Sequence, residues 1–162
     1  MQIYSPTLKG PLKISGFIDP DDTTKITVYW GAPLLIPNST YHIGDICRPT
    51  DNNGYYYQCT TNGISGSVEP TWNQEETTAG TIIFAAVPWN LWIQPDEIIT
   101  DSIWTASNPN IDVSTNSFDN FKSVVFVSNV PSTLTDFTLS NQVTKANGEK
   151  ISRSFIYKVN QQ

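Results

Sequence analysis

Hydrophobic positions in this chain recur at every second residue and show no sustained helical spacing. Over 25–30, Ile26, Val28 and Trp30 fall on one side and Lys25 and Thr27 on the other, the period of a half-buried strand. Asp19-Pro20-Asp21-Asp22 before it reads as a turn, because proline fixes φ and aspartate side chains bond back onto tight bends. Two short strand-like runs, 41–48 and 55–60, flank a turn-rich connector ending at Gly54 and predict a hairpin. A loop over 61–70, with Gly63 and Gly66, leads past Trp72 and a polar, acidic stretch over 73–78 to a strand over 81–87. Further strands are predicted over 98–105 and over 121–127, the latter apolar on both faces as in a central strand. Phe137, Leu139 and Val143 share one phase of a long strand, and Ile151, Phe155, Tyr157 and Val159 share one phase of the last. Asn147-Gly148 between them predicts a type I′ hairpin turn, with positive φ at both residues. The pattern as a whole predicts an all-β protein.

Composition agrees. Thr, Ser, Asn, Pro and Gly are abundant and strong helix formers scarce, while aromatics at 12%, five Trp among them, supply core material. The net charge of −6 and the lack of any basic cluster argue against nucleic acid as a partner. No apolar run approaches the ~20 residues of a membrane span, and the opening residues lack the build of a signal peptide. No membrane association is therefore expected, and synthesis in a cytoplasm is. Cys47 and Cys59 bracket a turn-like stretch, which leaves both a bridge and two free thiols open.

Candidate chemistry is sparse, and no catalytic, cofactor or metal residue is assigned. His42 stands alone, with no nucleophile motif beside it. Asp19, Asp21 and Asp22 lack the spacing, glycine and distal glutamate of a calcium loop. The adjacent carboxylate pairs Asp21-Asp22, Glu75-Glu76 and Asp96-Glu97 would point to opposite faces of a strand. An enzyme is not expected. Aromatics are the concentrated resource: Tyr55, Tyr56 and Tyr57 in a row, then Trp72, Trp89 and Trp92. On a strand, Tyr55 and Tyr57 share a face and Tyr56 takes the other. Exposed rings would stack on sugar faces, and buried ones would be core pillars.

Two stretches carry a resemblance. Tyr41, Gly44-Asp45-Ile46, Arg48-Pro49, Gly54-Tyr55, Tyr57, Cys59-Thr60, Ser65-Gly66, Glu69-Pro70 and Trp72 follow one another in an order similar to a small β module of tailed-phage virion proteins. That module is distantly similar to short chitin-binding carbohydrate modules. Phe17-Ile18-Asp19-Pro20-Asp21-Asp22, Trp30, Trp92-Ile93 and 98–104 resemble a pattern of small immunoglobulin-like proteins of phage virions, completed by a central strand, a long strand and a hairpin into an Arg153-containing strand. Together the resemblances imply an extended arm over 1–12 and an immunoglobulin-like β-sandwich from 13–34 plus 88–162. A β-hairpin-rich carbohydrate-module-like domain over 35–87 would be inserted into one sandwich loop. Two consecutive domains split near Val87 are the alternative, decided by which sheet strand 24–30 joins.

The resemblance implies a structural component of a tailed-bacteriophage virion, either a capsid decoration or cement subunit or a neck or head–tail fibre-type protein. It would be assembled in the host cytoplasm and docked to major capsid, portal or other virion proteins. Particle symmetry would make it a homo-oligomer. The alternative is a carbohydrate-binding module that adheres to host-surface glycan, with Tyr55, Tyr56, Tyr57 and Trp72 as stacking residues.

Overall fold

The computed structural model describes residues 2–4 and 14–160. Of the arm expected over 1–12, all but Gln2–Tyr4 lies outside the described residues. The described chain forms strands and no helix: β1 (Gln2–Tyr4), β2 (Ile14–Ile18), β3 (Thr24–Tyr29), β4 (Thr40–Tyr41), β5 (Ile46–Cys47), β6 (Tyr55–Cys59), β7 (Gly63–Ile64), β8 (Glu76–Ala79), β9 (Ile82–Pro88), β10 (Ile99–Ala106), β11 (Asp112–Phe118), β12 (Lys122–Ser128), β13 (Asp136–Lys145) and β14 (Lys150–Val159). They build several open sheets grouped into two compact units. One unit is split in sequence, Met1–Trp30 with Asp96–Gln162, and the other, Gly31–Pro95, is continuous and interrupts it. The divisions fall at 30/31 and 95/96, four and eight residues from the boundaries expected from the sequence.

The split unit has two four-stranded sheets, ordered β1-β3-β12-β11 and β10-β13-β14-β2. β3 pairs antiparallel with β12, Ile26 opposite Val125, so the first strand of the sequence pattern joins the sheet of the C-terminal half. Two pairings are parallel, β1 with β3 and β2 with β14. The two sheets bury side chains against each other: Ile26, Val28, Val125 and Val127 from one, Ile99, Trp104, Leu139, Val143 and Phe155 from the other.

A polar network crosses that core. On β13, Phe137, Leu139, Asn141, Val143 and Lys145 all point inward. Asn141 is 0% exposed; its Oδ1 accepts from Trp30 Nε1 (2.9 Å), and its Nδ2 donates to Ser102 Oγ (2.9 Å) and to the Ile103 carbonyl (3.0 Å). Ser102 Oγ in turn donates to Ser123 Oγ on β12 (2.9 Å). Each of these buried groups has a partner, the condition under which burying an amide is tolerable. At the core's edge, Lys145 Nζ bridges Glu97 (2.7 Å) and Glu149 (2.5 Å).

The turns follow their chemistry, with one correction. Asp19 Oδ1 accepts the Asp21 N–H, as the Asp-Pro-Asp-Asp run predicts. Asn129, after β12, takes φ 54°, a left-handed conformation that asparagine tolerates. At the β13–β14 hairpin only Gly148 has positive φ (85°), so the turn is not type I′. Lys145 lies opposite Glu149 across a three-residue connection, the geometry of a type I turn closed by a left-handed glycine.

The continuous unit has a four-stranded sheet, β5-β6-β9-β8, and a two-stranded one, β4-β7. Its core is Tyr41, Cys47, Tyr57, Cys59, Ala79, Ile82 and Phe84, with Leu35, Tyr55, Trp72 and Ala86 packed partly against it. Gly80 joins β8 to β9 with φ +66°, and a Cβ there would lie 2.4 Å from the Ile64 carbonyl and 2.7 Å from the Gly66 nitrogen. Both obstacles are backbone and cannot swing away. Gly80→Ala is therefore expected to lower stability by ~2–3 kcal/mol, read as a fall in the urea midpoint; an unchanged midpoint would refute this packing.

Candidate functional site

The aromatic set singled out in the sequence sits on β6 and the loop leading to β8. Alternation along β6 places Tyr55, Tyr57 and Cys59 on one side and Tyr56 on the other, but neither side faces water freely. Tyr57 is 0% exposed and Tyr56 1%. Tyr57 stacks at a tilt on Trp72 (centroids 4.3 Å apart, 40°); its hydroxyl donates to the Asn73 carbonyl (3.0 Å) and accepts from Asn53 Nδ2 (2.9 Å). Tyr56 meets Trp89 edge-on at 6.2 Å. These two rings are core pillars and offer no face for a sugar, because the sheet is covered on both sides at this strand. Trp89 lies against Tyr56 on that second side, which the alternation of β6 alone does not reveal.

Tyr55 and Trp72 remain half-buried. Trp72 packs between Tyr57 and Phe84, 5.9 Å from the latter, and its Nε1 donates to Glu69 Oε1 at 2.7 Å. The same oxygen accepts the Thr50 N–H at 2.8 Å. One carboxylate thus ties the loop before β6 to the loop after β7 and fixes the indole edge. In the sequence Glu69 stands out only as part of a motif; its role follows from these two donors, which are far from each other in the chain.

Burial pushes the Glu69 carboxyl up, but the hydrogen bonds from Thr50 and Trp72 outweigh it and leave the group below the usual glutamate range. A depressed folded value means that the stabilisation is present above the unfolded glutamate pKa and is lost as pH falls through the folded one. Glu69 is exposed, so screening keeps the contribution to roughly 0.5 kcal/mol. In acid titration monitored by tryptophan fluorescence, wild type is expected to lose that increment below the ordinary glutamate range, and Glu69→Gln to show a flatter profile. Identical acid profiles would show that Glu69 does not fasten Trp72.

Cys47 and Cys59 are free thiols, both buried. Cys47 opposes Tyr57 in the β5–β6 ladder, two positions from Cys59, a diagonal that separates Cα atoms by ~7–8 Å and is too long for an unstrained bridge. Cys59 Sγ donates to the Thr61 carbonyl (3.2 Å), and burial pushes the Cys47 thiol well up. His42 lies in the turn into β5, where Asp45 Oδ2 accepts its backbone N–H at 2.8 Å and approaches the ring at 3.7 Å. Among the described residues, no group of three or more His, Cys, Asp or Glu side chains is arranged to hold a metal ion.

Exposed apolar side chains are the other feature of this unit. Ile36 (59%), Ile43 (59%), Ile64 (54%) and Val68 (74%) project from the segments around β4 and β7. Ser65 Oγ binds those segments together, donating to the Ile36 carbonyl (2.7 Å) and accepting the Ser39 N–H (3.0 Å). The split unit exposes Phe17 (63%) on β2 and Ile103 (49%) on β10. Compared with known proteins, the chain matches no family model and no curated protein.

Proposed function

We propose that the chain is a structural component of a tailed-bacteriophage virion that works by protein–protein docking, with an immunoglobulin-like sandwich carrying an inserted β module. Strand order is the observation that carries the reading. Without the insertion, β3, β12 and β11 fall in the B-E-D order of an immunoglobulin sheet, and β10, β13 and β14 in the C-F-G order of its partner. Trp104 on β10 is buried, where antibody domains bury a tryptophan of strand C. Those domains join strands B and F by a disulfide; here the residue just after β3 and a residue of β13 meet through the Trp30–Asn141 hydrogen bond instead. Gly31–Pro95 then occupies the B–C connection, a surface loop where insertion costs little. Apolar side chains left in water on both units supply area to bury against neighbouring subunits, and repetition by particle symmetry turns weak single contacts into firm attachment.

The test is mass spectrometry and electron microscopy of particles purified from cells in which the chain is expressed from its natural genome. The chain is expected at a fixed copy number per particle. Its absence from purified particles would overturn the reading.

A second reading, adhesion to glycan, is favoured by one observation: Trp72 is only half-buried and is held in place by Tyr57 and Glu69, which leaves part of a fixed indole in water for contact with a sugar. It rests on Trp72 and Tyr55, since Tyr56 and Tyr57 lie in the core. Retention on chitin or host envelope polysaccharide, lost in a folded Trp72→Ala variant, would favour it; no retention of wild type would remove it.

A further inference from the structure

We propose that the outer edge of β3 is a strand-acceptor slot and that, in an assembly, β1 of a neighbouring copy of this chain fills it. An unpaired strand edge is a template for another strand, and proteins blunt such edges with irregularities. The split unit does this at three of its four border strands, and the fourth border is β1 itself, only three residues long and covering half of β3. The β10 pairing shifts register between Ile99 and Asp101, the β11 pairing between Ser114 and Ser117, and the β2 pairing between Ile156 and Tyr157. Beneath β1, β3 pairs with β12 over six consecutive residues in unbroken register, so release of β1 would leave a regular strand edge with no bulge to blunt it.

The slot is occupied by the chain's own β1, which identifies the chemistry that fits it. Gln2, Ile3 and Tyr4 pair in parallel with Ile26, Thr27 and Val28 and leave Thr24, Lys25 and Tyr29 outside the ladder. Three residues in a parallel ladder make few hydrogen bonds against the entropy of ordering them. Closure within one chain is therefore weak, and a neighbour's identical strand competes once its local concentration is high. Exchange of an identical element between protomers is a low-cost route to assembly, because the ladder formed between two copies has the same hydrogen bonds as the ladder it replaces within each. This deepens the virion reading, whose symmetric array would supply the crowding, but it is tested on purified protein and stands or falls separately from particle incorporation.

The experiment uses three full-length variants, Ile3→Cys, Thr27→Cys and the double variant, oxidised over a range of concentrations and resolved on non-reducing gels. The two native cysteines are buried and serve as the background in wild type. An equal mixture of the two single variants is expected to form a disulfide-linked heterodimer that increases with concentration. The double variant is expected to give closed monomer when dilute and linked oligomers when concentrated. Cross-linking confined to the monomer of the double variant at every concentration would overturn exchange. The absence of cross-links in all three samples would overturn the slot itself.

Discussion

Tyr57→Ala is expected to unfold the continuous unit or leave it barely stable, at a cost of ~3–5 kcal/mol. The ring is fully buried in a small cluster with Tyr41, Phe84 and Ile82, so deletion leaves a void that the short strands around it cannot collapse into. The loss is more than volume. Trp72 would lose the ring it rests on, and the Asn73 carbonyl and Asn53 amide would lose the hydroxyl that joins them. Tyr57→Phe isolates that second part and is expected to cost ~1–2 kcal/mol. Urea unfolding followed by tryptophan fluorescence separates the two. If Tyr57→Ala and Tyr57→Phe have the same small effect, the ring is not a core pillar, and its availability for ligand stacking must be reconsidered.

Asn141→Ala is expected to cost the split unit ~3–5 kcal/mol. One amide holds Trp30, Ser102 and the Ile103 carbonyl, and its removal takes a hydrogen bond from each of the three inside the unit. Typical domains have about 5–15 kcal/mol in total, so the variant should lie near its folding threshold at 37 °C. Coupling gives a sharper signature than magnitude. Trp30→Phe keeps most of the ring and removes the donor, so Trp30→Phe with Asn141→Ala should cost less than the sum of the two, by ~1 kcal/mol or more. Strict additivity would mean that the bond between the sheets contributes nothing.

The alternating runs make most of the strands legible in the sequence. Phe155, Tyr157 and Val159 have the same phase in sequence and in burial. The strand expected to be half-buried over 25–30 instead buries both faces, Thr27 and Tyr29 as well as Ile26, Val28 and Trp30, because β3 lies inside its sheet. β11 is not legible: Asp-Val-Ser-Thr-Asn-Ser-Phe has no alternation, because an edge strand with a bulge at Ser114–Ser117 buries neither face consistently. β8 hides in the polar stretch after Trp72, where only Thr77 and Ala79 turn inward. Asn141 can be placed on a strand but not recognised as a core residue, since its three partners lie on other strands or at the far end of β3. In the candidate site, alternation correctly separates Tyr56 from Tyr55 and Tyr57. It cannot show that Trp89 lies against Tyr56 on the other side, nor that Glu69 fastens Trp72, because both depend on contacts between loops.

The placement of Gly31–Pro95 between β3 and β10 also has a consequence in time. The β3–β12 ladder cannot zip until the chain has closed a loop that the insertion lengthens from about 27 to about 92 residues, which adds roughly 1 kcal/mol of closure entropy while the insertion is unstructured. The continuous unit pairs over shorter spans, from the β5–β6 and β8–β9 hairpins to Tyr55 opposite Pro88 at the widest of its ladders, and contacts of shorter span form earlier. Once compact, it shortens the effective loop that the split unit must close. Folding is then expected to run from the middle of the chain outwards, so that a lesion such as Tyr57→Ala slows the refolding of strands it never touches.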